Sequence, residues 1–213
     1  MNGLNNLIKF RKKKKFIYLI SPNTIHNKIF YSQLKEIFKL NKVVFFQLRI
    51  KKDTQKNKVK IGKKVKKICK KYKVKFIIND DPLLTNKLNA DGCHLGQKDM
   101  NILNARKILK NKIIGTTCHN SIKLVRKAVK NKVDYIALGS FYSTKTKKIK
   151  YKANYKTLKL AKKITNIPIV AIGGIKFRNY KKLLLNKANF LAISGYIWKN
   201  KKLNPIEAIK KLK

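Results

Sequence analysis

The sequence has few acidic residues: eight aspartates and glutamates stand against 55 lysines and arginines in 213 residues. Half of the eight fall between residues 76 and 100, as Asp80, Asp81, Asp91 and Asp99. A chain that has so few carboxylates and concentrates them in about an eighth of its length indicates a local use for negative charge at that place.

Arginine is scarce among the cations, with five arginines against fifty lysines and a formal net charge of +47. Proteins that read nucleic acids tend to use arginine and aromatic side chains in a localised patch. Here the lysines run through every predicted helix and turn, which is typical of solvated faces. The composition therefore argues against a dedicated nucleic-acid function, and a nonenzymatic polyanion-binding protein is kept as an alternative.

Long apolar runs are absent, so the sequence predicts no membrane span. The basic segment at the start is followed by only a short apolar run before Ser21-Pro22, too short for a signal peptide. We therefore expect residues 1–15 to be a basic lead-in and residues 16–213 to form one domain, within the length range of a single domain. The oligomeric state stays open, and a homo-oligomer is compatible with the sequence.

Cysteine is also rare, with three residues that show no zinc spacing. The odd number favours a reducing compartment, and hence a cytoplasmic protein. Two of the cysteines belong to the dipeptides Cys93-His94 and Cys118-His119. Adjacent residues on a strand point to opposite faces, so we interpret these cysteines as buried thiols rather than as metal ligands.

Short apolar runs alternate with amphipathic, lysine-rich segments of helical spacing along the whole chain. The predicted strands are 16–20, 43–48, 75–78, 92–95, 113–116, 135–138, 169–172 and 190–193. The predicted helices are 29–40, 59–72, 83–88, 102–109, 122–129, 155–164, 180–185 and 205–212. This alternation predicts a parallel sheet, and its eight units favour a single (β/α)8 TIM barrel. An open doubly wound sheet is the alternative, although no G-x-G-x-x-G follows the first strand.

Carboxylates stand at the ends of two neighbouring predicted strands. Asn79, Asp80 and Asp81 follow the third strand, and Asp99 comes soon after the fourth. Mg²⁺ usually takes one or two protein carboxylates together with waters and substrate phosphates, so Asp80 and Asp99 are candidate ligands. Alternatively, Asp80 and Asp81 cap the following helix and Asp99 caps the next one.

Polar side chains alternate with apolar ones after the second strand. Gln47, Arg49 and Lys51 share one face, whereas Leu48 and Ile50 share the other. A parallel barrel strand has no solvated face, so the polar side chains are expected to project into the barrel mouth. This arrangement predicts an anion-binding site.

The later strand ends are rich in small and hydroxyl-bearing residues. Segment 115–120 offers hydroxyls and an imidazole, and 139–148 is a long polar loop of the kind that covers a site. Gly173-Gly174 and Ile193-Ser194-Gly195 follow the last two strands. Glycines there let backbone N–H groups approach a ligand, and barrels often bind phosphate at these two loops.

Taken together, these strand ends resemble thiamine-phosphate synthases over nearly the whole chain. The matching motifs are Gln-Leu-Arg-x-Lys at 47–51, Ile-Asn-Asp-Asp at 78–81, Asp-Gly-x-His-Leu-Gly-Gln-x-Asp-Met at 91–100, Thr-Lys-Thr-Lys at 144–147, Ala-Ile-Gly-Gly-Ile at 171–175 and Ile-Ser at 193–194. Each motif is short, but their joint order and spacing are highly specific.

The resemblance implies a Mg²⁺-dependent transferase that joins 4-amino-5-hydroxymethyl-2-methylpyrimidine diphosphate to a thiazole phosphate or carboxythiazole phosphate. Its products are thiamine monophosphate and pyrophosphate. The implied metal ligands are Asp80 and Asp99, and the implied catalytic cations are Arg49, Lys51 and Lys147. The implied substrate-binding residues are Gln47, Leu48, Arg49, Ile50, Lys51, Asn79, Thr117, Thr144, Lys145, Thr146, Lys147, Gly174, Ile193 and Ser194. Thr117 stands where the family commonly has serine.

The residues themselves fit this chemistry, because cations and Mg²⁺ stabilise a departing pyrophosphate and no protein nucleophile is evident. The electron-rich aminopyrimidine can bear the positive charge left behind, so a dissociative substitution is expected. A thiazole tautomerase on the same fold is the enzymatic alternative. Such an isomerase has no need for a pyrophosphate and metal site, and the carboxylates and the cationic face argue against it.

Overall fold

The computed structural model describes residues 15–25, 28–144 and 150–213. Eight parallel strands close into a barrel in sequence order, with β8 pairing β1. The strands are β1 (Ile17–Ile20), β2 (Val43–Leu48), β3 (Lys75–Asn79), β4 (Gly92–Leu95), β5 (Ile113–His119), β6 (Tyr135–Gly139), β7 (Ile169–Ile172) and β8 (Phe190–Ile193). The predicted single (β/α)8 barrel is confirmed, and the open doubly wound sheet is wrong. The predicted lead-in lies outside the described residues except for Lys15.

Helices follow the strands in the alternation that the apolar spacing predicts. Those of the described ranges are α1 (Lys28–Lys39), α2 (Gln55–Lys71), α3 (Pro82–Lys87), α4 (Ile102–Leu109), α5 (Ile122–Lys130), α6 (Tyr155–Ile164), α7 (Tyr180–Leu185), α8 (Gly195–Trp198) and α9 (Pro205–Lys211). Helix α2 begins before the predicted Val59, because the hydroxyl of Thr54 accepts a bond from the Asn57 N–H at 3.2 Å and caps a polar first turn. No helix in the described ranges is both long and apolar enough to span a bilayer.

The apolar residues form two layers, one on each face of the barrel wall. The larger layer lies between the strands and the helices, and includes Leu48, Ile50 and Cys93. The smaller layer fills the barrel interior and is formed by Tyr18, Ile20, Val44, Phe45, Ile77, Tyr135, Ala137, Val170, Phe190 and Ala192. Because side chains alternate along a strand, the inward positions at the carboxyl ends face the barrel mouth.

Hydrogen bonds between neighbouring strand ends fix the segments at the mouth. The Trp198 indole N–H donates to the Ile20 carbonyl at 2.7 Å, and the Ser194 hydroxyl donates to the Ser21 carbonyl at 3.1 Å. On the other side, the N–H groups of Phe141 and Tyr142 each donate at 3.1 Å to backbone carbonyls at the end of β7. The first two bonds join the segments that follow β1 and β8, and the other two join the segments that follow β6 and β7.

Candidate functional site

The alternation predicted for the end of β2 is observed at Gln47, Leu48 and Ile50. Gln47 faces inward with 3% exposure, whereas Leu48 and Ile50 pack outward under the helices. The Arg49 backbone N–H donates to the Ser21 hydroxyl at 2.9 Å, which ties the end of β2 to the end of β1. Lys51 forms an ion pair with Asp80 at the end of β3. A cation is thereby placed beside the predicted metal carboxylates.

Asp80 and Asp99 lie together, as the strand ends predict, and they are close enough for each carboxyl group to shift the pKa of the other. Asp80 adopts a left-handed conformation, with φ of 65°, while its N–H donates to the His94 carbonyl at 2.8 Å. The Asp99 carboxylate accepts the Gly96 N–H at 2.6 Å. Strand β4 therefore orients both acids.

The two acids differ in pKa. Burial opposes ionisation of Asp80, but the hydrogen bonds from Lys51 and Asp99 outweigh burial and lower its pKa. Burial and the neighbouring Asp80 raise the pKa of Asp99. Two carboxyl groups that repel each other in this way favour a shared proton or a shared cation.

Helix capping explains only one of the three aspartates for which it was considered. Asp81 caps α3, because its carboxylate accepts the Leu84 N–H at 2.8 Å. The cap of α4 is Asn101, so the capping alternative is wrong for Asp80 and for Asp99. Both are free of that structural duty and remain candidate ligands.

The donor set fits Mg²⁺. Two close carboxylates at the barrel mouth match the one or two protein ligands that this ion commonly takes, with waters and substrate phosphates completing its octahedron. Among the described residues there is no cluster of three or more histidine, cysteine, aspartate or glutamate side chains. An oxygen-rich magnesium site completed by a phosphorylated ligand therefore suits this mouth better than a closed structural metal site.

A chain of hydrogen-bonded side chains crosses the barrel just below the mouth. The Gln47 amide N–H donates to the Tyr18 hydroxyl at 3.3 Å, and the Tyr18 and Tyr135 hydroxyls lie 2.7 Å apart. The His94 ring nitrogens contact the Tyr135 hydroxyl and the Thr117 hydroxyl, both at 2.9 Å. Burial lowers the pKa of His94 to about 4, so the imidazole is neutral at physiological pH.

Sequence reasoning found the two ends of this chain, Gln47 and Thr117, and missed its middle. It weighed His94 only as a metal ligand beside Cys93. Tyr18 and Tyr135 sit within apolar runs, where a phenol reads as a core aromatic residue. The available signal was register, because an inward tyrosine in a narrow barrel needs a polar partner for its hydroxyl.

The cysteines behave as the dipeptide argument predicts. Cys69, Cys93 and Cys118 are free and buried. Cys93 packs into the layer outside the barrel, whereas His94 faces inward. Burial raises the pKa of Cys93 and of Cys118 to about 12, so both stay protonated at neutral pH.

The ends of β7 and β8 complete the mouth. Gly174 has φ of +61°, and a Cβ atom there would collide with the Ser143 carbonyl oxygen. Ile193 is buried at the end of β8, and Ser194 precedes the single turn of α8. Thr144 lies at the edge of the described residues, while Lys145, Thr146 and Lys147 lie outside them. Asn79 is in register with His94 on the neighbouring strand, as its predicted place at the mouth requires.

Comparisons with known proteins agree with this geometry. The family model described as thiamine monophosphate synthase matches residues 17–197. The chain is 68% identical over 200 residues to thiamine-phosphate synthase of Pelagibacter ubique (strain HTCC1062), covering 94% of this chain and 97% of that one. It is 42% identical over 165 residues to the Fusobacterium nucleatum enzyme of the same name, covering 76% and 79%. The structure of thiamine phosphate pyrophosphorylase from Pyrococcus furiosus superposes with a TM-score of 0.83 at 26% identity, covering 95% of each chain.

Proposed function

The chain belongs to the thiamine monophosphate synthase family, and we propose that it joins 4-amino-5-hydroxymethyl-2-methylpyrimidine diphosphate to a thiazole phosphate, releasing pyrophosphate. It is a transferase, and its product is thiamine monophosphate. The observation that carries the proposal is the meeting of the cationic end of β2 with the Asp80 and Asp99 pair, through the Lys51–Asp80 contact. That meeting supplies a binding place for a diphosphate and its metal ion at one edge of the mouth.

The diphosphate binds at the end of β2, where Arg49 and Lys51 project from the inward face. Arg49 offers a planar fork of donors, and Lys51 offers a compact charge that already contacts Asp80. Backbone groups of Leu48 and Ile50 complete this segment, while their side chains stay in the outer core. The Ser21 bond to the Arg49 N–H keeps the segment in place.

Asp80 and Asp99 are the residues that would hold Mg²⁺ beside the bound diphosphate. When bound, the ion supplies positive charge that stabilises the departing pyrophosphate. Both acids would bind the ion as carboxylates, and Lys51 remains as a second cation on the same side of the leaving group. Lys147, from the loop after β6, adds a third cation in this proposal.

The bond between the pyrimidine methylene carbon and the diphosphate oxygen breaks first, and the electron pair leaves with pyrophosphate. The electron-rich aminopyrimidine, held by Gln47, Asn79 and Thr117, bears the positive charge. The thiazole nitrogen then forms the new carbon–nitrogen bond. Proximity supplies much of the acceleration, because both partners are held in one pocket.

The second phosphate, that of the thiazole, binds on the opposite side of the mouth. Gly174 leaves its backbone open to a ligand at φ of +61°, and the Ile193-Ser194 pair begins the turn of α8 beside it. Thr144, Lys145 and Thr146 supply hydroxyl and cationic contacts to the same phosphate. The two anions are thus bound at separate strand ends, with the reacting atoms between them.

The deciding assay incubates the purified protein with both substrates and Mg²⁺, and measures thiamine monophosphate and pyrophosphate together. We expect the two products in equal amounts, no product when either substrate is omitted, and loss of turnover with a chelator that added Mg²⁺ reverses. If the complete mixture yields no thiamine monophosphate, the proposal is wrong.

The alternatives predict different outcomes. A thiazole tautomerase would convert a thiazole phosphate without any pyrimidine diphosphate, and it would need neither of the paired acids. A polyanion-binding protein would hold nucleic acid at physiological salt, whereas diffuse lysine contacts weaken steeply as salt rises. The free, buried cysteines support a cytoplasmic location for the enzyme.

A further inference from the structure

The hydrogen-bonded chain below the mouth connects side chains from five strands. It runs Gln47 (β2), Tyr18 (β1), Tyr135 (β6), His94 (β4), Thr117 (β5). Its middle is rigidly packed. The Tyr135 ring lies 5.7 Å from that of Tyr18 and stacks on the His94 ring at 5.6 Å. A Cβ atom at Gly115 would collide with the Tyr135 ring, so the absence of a side chain there makes room for it.

Counting donors links the direction of every bond in the chain to the orientation of the Gln47 amide. The Gln47 amide donates to Tyr18, and each phenol has one proton to pass on. Tyr18 therefore donates to Tyr135, and Tyr135 donates to Nδ1 of His94. Because Nδ1 accepts in this direction, the imidazole carries its proton on Nε2 and donates to the Thr117 hydroxyl. Thr117 keeps its own proton for a ligand.

The opposite direction requires the Gln47 amide to turn over. Its oxygen would then accept from Tyr18, every other bond would reverse, and Thr117 would donate to His94. Any mixed arrangement either leaves a hydroxyl proton without an acceptor or sets two acceptor atoms against each other in the barrel interior, and both are costly. The two ends of the chain are therefore coupled: either Gln47 presents its oxygen and Thr117 donates, or Gln47 presents N–H and Thr117 only accepts.

Within the described residues, every fully buried side-chain oxygen or nitrogen has a hydrogen-bond partner. The Gln47 oxygen has no partner among those residues, so it is not fully buried. The Gln47 oxygen is therefore accessible from the mouth. With the Gln47 amide N–H donating to Tyr18, the chain presents an acceptor at Gln47 and a donor at Thr117. These two groups stand on β2 and β5, three strands apart around the barrel.

We propose that Tyr18, Tyr135 and His94 are positioning residues that fix this direction and thereby select a pyrimidine bearing an amino group. The inference rests on the proposed function, which seats the pyrimidine between Gln47 and Thr117. An amino group donates to the Gln47 oxygen. An analogue with an oxo group in the same place sets a second acceptor against the Gln47 oxygen. It is accommodated only if every hydrogen bond from Gln47 to Thr117 reverses.

The experiment compares the 4-amino substrate with its 4-oxo analogue in the Tyr18→Phe and Tyr135→Phe variants. Each variant removes one hydroxyl and interrupts the chain, so the Gln47 amide can turn freely. We expect the KM for the pyrimidine diphosphate to rise about tenfold and the preference for amino over oxo in kcat/KM to fall about tenfold. The KM for the thiazole phosphate should stay within about twofold of wild type.

Tyr180→Phe is the matched control. Tyr180 is fully buried, and its hydroxyl bonds to the Lys213 backbone rather than to any member of the hydrogen-bonded chain. Removing that hydroxyl is expected to leave both KM values and the preference unchanged. A Tyr18→Phe/Gln47→Glu double variant tests the direction itself, because a carboxylate presents only acceptors. We expect the preference for the amino compound to return in the double variant, whatever its turnover.

The outcomes separate the two proposals. If wild type makes thiamine monophosphate and both phenylalanine variants keep the preference within about twofold, the positioning role is wrong while the function stands. An equal loss of kcat/KM for the amino and oxo pyrimidines, in variants with normal thermal unfolding, also contradicts the positioning role. If wild type makes no product, the function and this inference fall together.

Discussion

Replacing Asp99 by asparagine separates the metal site from the fold. The asparagine oxygen can still accept the Gly96 N–H that Asp99 accepts at 2.6 Å. A neutral acceptor weakens this charge-assisted bond by about 1 kcal/mol. Removing the repulsion between Asp99 and Asp80 returns about 1 kcal/mol. The two changes cancel, so Tm should stay within about 4 °C of wild type for a chain of this length.

Turnover, in contrast, should fall steeply. Asp99→Asn removes one of the two carboxylates that we propose as ligands of Mg²⁺ beside the leaving pyrophosphate. Losing one electrostatic contact of this kind commonly costs about 100- to 1,000-fold in kcat, or about 3–4 kcal/mol. The measurement is kcat/KM for the pyrimidine diphosphate over a range of Mg²⁺ concentrations, beside thermal unfolding with and without Mg²⁺ and pyrophosphate.

Asp53→Asn is the matched control, because Asp53 follows β2 at the same end of the barrel and its carboxylate caps only the Thr54 N–H at 2.8 Å. It should retain wild-type turnover and the same stabilisation by Mg²⁺. The reasoning is refuted if Asp99→Asn keeps more than about a third of wild-type kcat/KM at every Mg²⁺ concentration. An unfolded Asp99→Asn would instead contradict the cancellation of the two stability terms.

Three further changes test other parts of the structure. Gly174→Ala should destabilise the protein by about 1–3 kcal/mol in urea unfolding and raise the KM for the thiazole phosphate. The reason is that φ of +61° and the Ser143 carbonyl exclude a Cβ atom at this position. An unchanged urea midpoint would contradict this. Asp134→Ala should cost about 2–3 kcal/mol, since Asp134 accepts from Arg106 at 2.9 Å and from the Ile114 N–H at 2.8 Å, with normal kcat for the folded protein. Burial raises the pKa of Cys118 to about 12, so the contribution of this thiol to stability is complete below about pH 8.5 and is lost as the pH rises towards 12. Cys118→Ala should therefore reduce the slope of unfolding free energy against pH in this alkaline range by about 1.4 kcal/mol per pH unit. An unchanged slope would refute this.

The sequence predicted the barrel because its strands are short apolar runs and each is followed by an amphipathic, lysine-rich segment of helical spacing. It predicted the Asp80–Asp99 pair because parallel strands end at one edge. Boundaries were predicted less well where polar residues continue an element. Strand β5 runs to His119, past the apolar stretch, and α2 starts with a polar first turn at Gln55. Hydrophobic periodicity gives no signal for such residues.

Which of several adjacent aspartates does what could not be read from the sequence. Asp80 and Asp81 are adjacent aspartates, yet the Asp81 carboxylate caps α3 while the Asp80 backbone N–H donates to the His94 carbonyl. The difference lies in the left-handed φ of Asp80, a backbone property that no side-chain pattern records. The Tyr18–Tyr135 contact was equally hidden, because it joins residues 117 positions apart.

The seam between β8 and β1 has a consequence for how the chain is made. Ile17 can pair with Leu191 only after the residues between them have been synthesised, so one edge of the first strand stays unpaired while those residues emerge from the ribosome. At about 5–20 residues per second, that wait lasts roughly 10–35 seconds. Lysine-rich nascent segments repel one another during this interval, and so guard the open edge against pairing with a second copy.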